Sequence, residues 1–266
     1  CTIRWVKFGD ENTKFFQAVA TECYRKNNVA ILQTHDALMV EDHTGKEALL
    51  FQAYTERLGM SNPTQMRFDL SSLIQPNDNL EHLTAPFTKD EIDGVVKEMP
   101  VDRAPGPNGF SGLFLKACWP IIKEDFYTLC TQFHVGELNL QNINDGLITL
   151  IPKNDSPTTV NDYRPITLRN CCLKLITKLL ANRLQKVILC IIHRNQYGFI
   201  KGRSIQDCLA WIFQYIHQCQ ASKRQIVLLK LDFAKAFDTI EHEAMIKIMQ
   251  HMGFNDKWLS WIHSIF

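Results

Sequence analysis

The run Gln225-Ile-Val-Leu-Leu-Lys-Leu-Asp232 constrains this chain more than any other stretch of its 266 residues. It is short, rich in branched aliphatics and bounded by polar residues, and so reads as a buried strand. The apolar run ends abruptly in a carboxylate. A buried strand with an aspartate at its C-terminal end places an oxygen ligand at a sheet edge, where the sites of open α/β sheets lie. A hard cation such as Mg²⁺ takes carboxylate oxygens together with substrate phosphates, and needs only one or two protein carboxylates. Two-metal phosphoryl transfer uses such an aspartate to help hold ions about 3.5–4 Å apart. A lone strand-terminal Asp is a weak pointer by itself. Asp238, six residues on, reads more simply as a helix first-turn charge favoured by the helix dipole.

The surrounding pattern alternates. Apolar spacing predicts helices over 12–28 and 44–58, with a short hairpin from Val29–Leu32 and Leu38–Val40 between them. Residues 61–86 are rich in Ser, Asn, Pro and Gln and read as a linker or irregular surface segment. Thr88-Lys-Asp-Glu91 is a capping box that opens a helix to about Met99. The dense turn Ala104-Pro-Gly-Pro-Asn-Gly109 leads into a helix over 112–134. A strand candidate at Leu147–Ile151 is closed by Pro152, and Leu173–Ile192 carries a broad apolar helical face. A loop at 195–204 precedes a helix over 205–220, then comes the 225–232 strand, then a helix over 236–252 closed by Gly253. Helices mixed with a few strands make the fold class α+β.

Charge narrows the function classes. The total is +1, yet residues 150–204 hold ten Lys or Arg against Asp155 and Asp162, a local balance of +8. Such a segment suits a phosphate-binding surface hidden by averaging. The competing reading makes Lys174, Lys178, Arg183 and Lys186 the solvated face of a helix. Lys153, Arg164, Lys201 and Arg203 lie among turn formers instead, where a basic side chain more often meets a ligand.

The longest apolar run, 187–192, is far shorter than the roughly 18–20 residues of a spanning helix. The first dozen residues show no signal-peptide pattern. Nine scattered cysteines without C-x-x-C spacing read as reduced thiols, so an intracellular, non-secreted, non-membrane protein is expected. Cys1 in place of methionine and an amphipathic pattern running into Phe266 suggest a piece of a longer protein.

Other chemistries fit less well. His242-Glu243-Ala-Met-Ile246 starts like a zinc-protease helix, but Ile246 occupies the second histidine position. Neither a Walker motif nor a dinucleotide fingerprint is present. A different metal-dependent phosphotransferase or nuclease would need partner carboxylates, and the clustered Asp90, Glu91 and Asp93 already have a capping explanation.

Four ordered motifs carry a family resemblance. Leu231-Asp-Phe-Ala-Lys-Ala-Phe-Asp238 resembles the first catalytic motif of reverse transcriptases. Pro105-Gly-Pro-Asn-Gly109, Leu150-Ile-Pro-Lys153 with Tyr163-Arg-Pro-Ile166, and Gln196-Tyr-Gly-Phe-x-x-Gly-Arg-Ser204 resemble finger motifs of the non-LTR (LINE-type) retrotransposon branch, in its order. Upstream, Trp5-x-x-x-Gly-Asp-x-Asn-Thr-Lys-Phe-Phe16 is similar to the segment joining endonuclease and polymerase in plant LINE-type proteins.

The resemblance implies a right-hand polymerase: a helical connector at 1–86, then fingers and an incomplete palm at 87–266, with thumb and last palm strands absent. Asp232 becomes a catalytic, metal-binding carboxylate with the Phe233 backbone carbonyl as a second ligand, for Mg²⁺ or Mn²⁺. Lys153 and Arg164 hold the dNTP triphosphate, Arg engaging two oxygens and Lys acting as a point charge. Phe237 sits under the sugar and disfavours a 2′-hydroxyl, although a core role on a helix face also suits it. Gln196, Gly198, Phe199, Gly202 and Arg203 lie near template and incoming base. The implied partners are an RNA template, a DNA primer and dNTPs.

Two departures stand out. Asn108 replaces the usual aspartate in its turn, which Asn also suits. No Asp-Asp pair occurs anywhere in the chain, so the second catalytic motif is missing and this chain alone is expected not to polymerise. The alternative is a catalytically dead nucleic-acid-binding remnant that uses the basic 150–204 segment. Either way, a sheet edge at 225–232 and the apolar face of 258–266 are expected to stand uncovered and invite aggregation.

Overall fold

The computed structural model describes residues 14–34, 36–58, 69–141, 143–233 and 240–266. The elements run α1 (Lys14–Asn27), β1 (Leu32–Gln33), β2 (Met39–Val40), α2 (His43–Leu58), α3 (Leu70–Leu73), a 3-10 turn (Glu81–Thr84), α4 (Lys89–Glu98) and α5 (Gly112–Val135). They continue with β3 (Gly146–Pro152), a second 3-10 turn (Val160–Asp162), β4 (Tyr163–Arg169), α6 (Cys171–Ile191), α7 (Ile205–Ala221), α8 (His242–His251) and α9 (Asp256–Ile265). The class is mixed α and β with helix dominant, as expected.

The chain forms two compact units: residues 1–60 with 147–168, and residues 61–146 with 169–266. In the first, β1 and β2 pair antiparallel, Leu32 opposite Val40 and Gln33 opposite Met39. Leu32 is fully buried there, and the Gln33 N–H reaches across to the Thr158 carbonyl at 2.7 Å. Strands β3 and β4 pair in a second two-stranded sheet. Strand β4 was not legible in the sequence because Pro165 interrupts it. Proline lacks an N–H but is tolerated at a sheet edge, and in a two-stranded sheet every strand is an edge.

The second unit is held by α4, α5 and α6. Thr88 caps α4 by accepting a hydrogen bond from the Glu91 N–H, and Ser111 caps α5 through the Phe114 N–H. Helix α5 ends on Gly136, whose φ of 82° supplies the left-handed stop. The three helices bury Ile92, Val95, Val96, Leu115, Tyr127, Cys130, Cys171, Leu175 and Leu179 in one cluster. A second cluster joins Leu80, Leu83, Phe133, Ile176 and Leu180 to Phe254, Trp258, Leu259 and Trp261. The face of 258–266 is therefore covered, contrary to expectation: Trp258 is 1% exposed, and Phe87 and Phe133 pack against the Trp261 ring.

Three charged groups inside this unit, Arg183, Glu91 and Asp93, are structural. Arg183 is buried beneath the 3-10 turn at 81–84, so it does not belong to a solvated helix face. Its guanidinium donates to both Glu91 carboxylate oxygens at 2.8 Å, and to the carbonyls of Leu83, Ala85 and Pro86. It also lies over the Phe87 ring. Glu91 thus spends its side chain on Arg183 and not on closing the capping box. Asp93 accepts from Trp119 Nε1 at 2.9 Å and the Tyr127 hydroxyl at 2.7 Å, which pushes the Tyr127 pKa up to about 12.

The 225–232 segment is corrected. Residues 223–233 carry no regular secondary structure, and Val227, Leu229 and Phe233 are 96%, 75% and 74% exposed. A strand exists only when its ladder is paired, and no described strand lies against this segment to pair it. The helix expected from 236 begins later among the described residues, at His242, with Glu241 as its N-cap.

Candidate nucleic-acid and nucleotide interface

In the first unit the site begins at the loop end of the β3–β4 pair. Lys153 follows β3 directly, its N–H donating to the Asp162 carbonyl and its ammonium to the Asn161 carbonyl. Arg164 is the second residue of β4 and is exposed. The two cations therefore stand at the same end of the hairpin. The turn between them is fixed by Asp162, whose carboxylate accepts from the Thr158 N–H, the Thr159 N–H and the Thr159 hydroxyl. Those donors, Thr159 first, hold the Asp162 carboxyl below the usual carboxylate range. Chemically this is a rigid turn presenting one planar and one point cation, a pairing suited to phosphate oxygens.

In the second unit the Ala104–Gly109 turn is laid on the N-terminus of α6. A Cβ on Gly106 would sit 2.4 Å from the Arg169 carbonyl, so only glycine permits this approach. Lys174 donates to the Ala104 carbonyl, and Asn170 Oδ1 accepts from the Asn108 N–H. Asn108 Nδ2 also reaches Cys171 Sγ at 3.8 Å. The Cys172 thiol first, and the Asn108 amide after it, draw the Cys171 pKa down, against a burial that raises it. An aspartate here would face that sulfur with a negative charge, so the asparagine suits its surroundings.

The Gln196–Ser204 motif forms the loop between α6 and α7. Arg203 Nη1 donates to the carbonyls of His193 and Gln196 at 2.8 and 2.7 Å. Gln196 Nε2 donates to the Gly198 carbonyl, and Ser204 caps α7 through the Gln206 N–H. Phe199 has a φ of 63° and is 93% exposed, an unusual backbone for an aromatic residue. Gly202, with a φ of 88°, turns the chain back toward α7. Gln185, Tyr197, Phe199, Lys201 and Arg203 line an open cleft of about 580 Å³ here. Gln196, Gly198, Phe199, Gly202 and Arg203 are thus gathered in one loop.

Asp232 and Phe233 lie in the second unit, exposed, in the irregular 223–233 segment. Phe237 falls outside the described residues. No group of three His, Cys, Asp or Glu side chains among the described residues is placed to hold a metal ion. Asp232 alone is fewer donors than a two-ion site needs, so the described residues do not by themselves make that site.

The basic residues of the 150–204 segment divide into two groups. Arg183 is consumed in the core, Lys174 ties down the 104–109 turn, and Arg203 is turned onto its own loop. Arg164, Lys178, Arg194 and Lys201 are exposed. Sequence reasoning missed Arg183 because its spacing within α6 matches that of Lys186. The signal that could have found it is Glu91, an acid in a helix first turn with more than a cap to satisfy. No helix among the described residues is long and apolar enough to cross a membrane.

Comparison with known proteins agrees with these motifs. Residues 151–266 match the reverse transcriptase (RNA-dependent DNA polymerase) family. A transposon TX1 149 kDa protein of Xenopus laevis is 25% identical over 97% of the chain. The Pol polyprotein of the type-1 retrotransposable element R2 of Popillia japonica is 27% identical over 66% of it. A probable RNA-directed DNA polymerase from transposon BS of Drosophila melanogaster is 26% identical over 60%. The chain spans 20%, 24% and 18% of those proteins' lengths, about a fifth. Over residues 151–266 the chain matches the reverse transcriptase family, and its motif order and relatives are those of non-LTR, LINE-type retrotransposon reverse transcriptases.

Proposed function

We propose that the chain supplies the fingers and the first part of the palm of an RNA-directed DNA polymerase, preceded by a connector over residues 1–86. The observation that carries this reading is the family match over 151–266, a span that includes Lys153, Arg164 and Asp232. In the complete enzyme, Lys153 and Arg164 hold the triphosphate of the incoming dNTP. Their shared place at one end of a turn braced by Asp162 supports that role. Asp232 contributes one carboxylate, and the Phe233 carbonyl one oxygen, to a divalent site for Mg²⁺ or Mn²⁺ that other carboxylates must complete. Phe237 disfavours a ribose 2′-hydroxyl. The loop holding Gln196, Gly198, Phe199, Gly202 and Arg203 faces template and incoming base. The substrates are an RNA template, a DNA primer and dNTPs, joined at the primer 3′-hydroxyl. The eight described cysteines are all free thiols, which supports a reducing, intracellular setting.

A second reading, nucleic-acid binding without turnover, is favoured by the lone Asp232 among the described residues. Both readings require phosphate contacts, and salt tests them together. Binding of this chain to an RNA-templated primer duplex, measured between 50 and 200 mM salt, should give a log–log slope of about −5 if some six phosphates are engaged. A slope near zero would remove both. Binding with that slope, and no primer extension by a full-length polymerase carrying this segment, would select the second.

A further inference from the structure

We infer that Arg203 is a positioning residue: its guanidinium closes the 193–203 loop from inside and presents Gln196 and Phe199, and it does not itself meet the nucleic-acid backbone. An arginine beside a cleft in a basic segment is ordinarily read as a phosphate ligand. Here Nη1 is shared between the carbonyls of His193 and Gln196, at 2.8 and 2.7 Å. Those two carbonyls open the loop, and Arg203 ends it, so the contacts join its two ends ten residues apart.

The rest of the loop follows the same closure. The Gln196 N–H returns to the His193 carbonyl, and the Arg203 N–H to the Ile200 carbonyl. The Asn195 N–H donates to His193 Nδ1, and Gln196 Nε2 to the Gly198 carbonyl. Arg203 is half-buried, whereas Lys201 is exposed. The closed loop lifts Phe199 to 93% exposure at a φ of 63°, a conformation that persists only where the surroundings over-determine it. The cation suited to a phosphate is Lys201, and Arg203 is the brace.

This rests on the proposed nucleic-acid role for one of its two readouts, so the test keeps them apart. Amide hydrogen exchange of the free chain is compared for wild type, Arg203→Ala, Arg203→Gln and Lys201→Ala. Arg203→Ala should speed exchange at Gln196 and Arg203 positions at least tenfold while α6 amides keep their rates. Arg203→Gln, which retains one amide donor, should fall between, and it carries the test if the alanine variant does not fold. Lys201→Ala, which removes the same charge from the same loop, should leave exchange unchanged. The second readout is the salt slope for primer–template binding: Arg203→Ala should keep the wild-type slope, and Lys201→Ala should lower its magnitude by about 0.9. Unaltered exchange in both Arg203 variants overturns the brace. A slope lowered by about 0.9 in Arg203→Ala overturns it equally, because the guanidinium then meets a phosphate. A wild-type chain that binds no nucleic acid refutes the proposed function instead, and the exchange comparison still decides the brace.

Discussion

Helices α6 and α7 follow one another in the chain and draw on similar residues, yet they are buried very differently. Of the 21 residues of α6, Cys171, Leu173, Leu175, Ile176, Leu179, Leu180 and Arg183 are buried. Of the 17 residues of α7, only Cys219 is. Leu209, Trp211, Phe213 and Tyr215 stand half-exposed or more along α7, with the Trp211 and Tyr215 rings stacked on each other. Leu209, Trp211, Ile212, Phe213, Tyr215 and Ile216 form a broad apolar face along α7 opposite most of its glutamines, the pattern of a helix that packs against a partner. Directly after it comes the equally exposed 223–233 segment. The difference teaches that apolar content alone does not bury an element. Helix α6 has α4 and α5 beside it, and α7 has no comparable cover among the described residues. On the proposed reading, the cover of α7 and the partners of 225–232 belong to the remainder of the palm.

On the proposed reading, chemistry falls in the exposed region and stability in the buried one, and the largest expected effect tests that division at its exposed end. Asp232→Asn in a complete polymerase carrying this segment should cut primer extension a thousandfold or more, about 4 kcal/mol of transition-state stabilisation. The same change in this chain should leave the melting temperature within a degree or two, because the side chain is exposed here. Retention of a tenth of the activity would break the assignment of Asp232.

The buried end should behave in the opposite way. Arg183→Ala strands the Glu91 carboxylate and leaves three backbone carbonyls without their donor. Removing one member of a buried pair costs about 3–5 kcal/mol, readable as a fall in the urea midpoint of this chain. Arg183→Lys should recover only part of it, since an ammonium cannot reproduce the fork that spans Glu91 and the 83–86 carbonyls. A loss below about 1 kcal/mol in the alanine variant would mean that the 80–87 segment is held by its apolar contacts alone.

What the sequence disclosed follows the same line. Elements that satisfy their own hydrogen bonds were legible: Thr88 opens α4 as read, and the helix expected over 112–134 is α5, which the structure caps with Ser111 and Gly136. The β3–β4 hairpin was half legible, since Leu147–Ile151 is a short β-prone run closed by Pro152 but Pro165 disguises its partner. The 225–232 run misled because a strand is a tertiary object, its stability lying in cross-strand neighbours that no local pattern reports. Of the basic residues, Arg183 and Arg203 read as solvent-facing or ligand-facing, and both are turned onto backbone carbonyls. A one-dimensional charge count records a guanidinium but not the carbonyl that will claim it. The grouping of the Gln196–Arg203 residues was legible because a loop keeps its members together in space.

The smallest effect sharpens the comparison most. Leu175 in α6 is fully buried and Leu229 is 75% exposed, so the same substitution can be made at both. Leu175→Ala should cost about 3 kcal/mol, the transfer free energy of the lost methyl groups plus a cavity term. Leu229→Ala should stay within about 0.5 kcal/mol, as surface changes do. Chemical unfolding of both variants of this chain checks the pair. A loss of 2 kcal/mol or more at Leu229 would show that the segment is already buried and paired here. The same Leu229→Ala change in a complete polymerase separates the proposed palm from its alternative. If 225–232 is a palm strand, its partners there bury Leu229 and the cost rises toward that of Leu175. If it stays near zero in the longer protein too, the segment is no strand in either context, and Asp232 loses the rigid element that its proposed role demands.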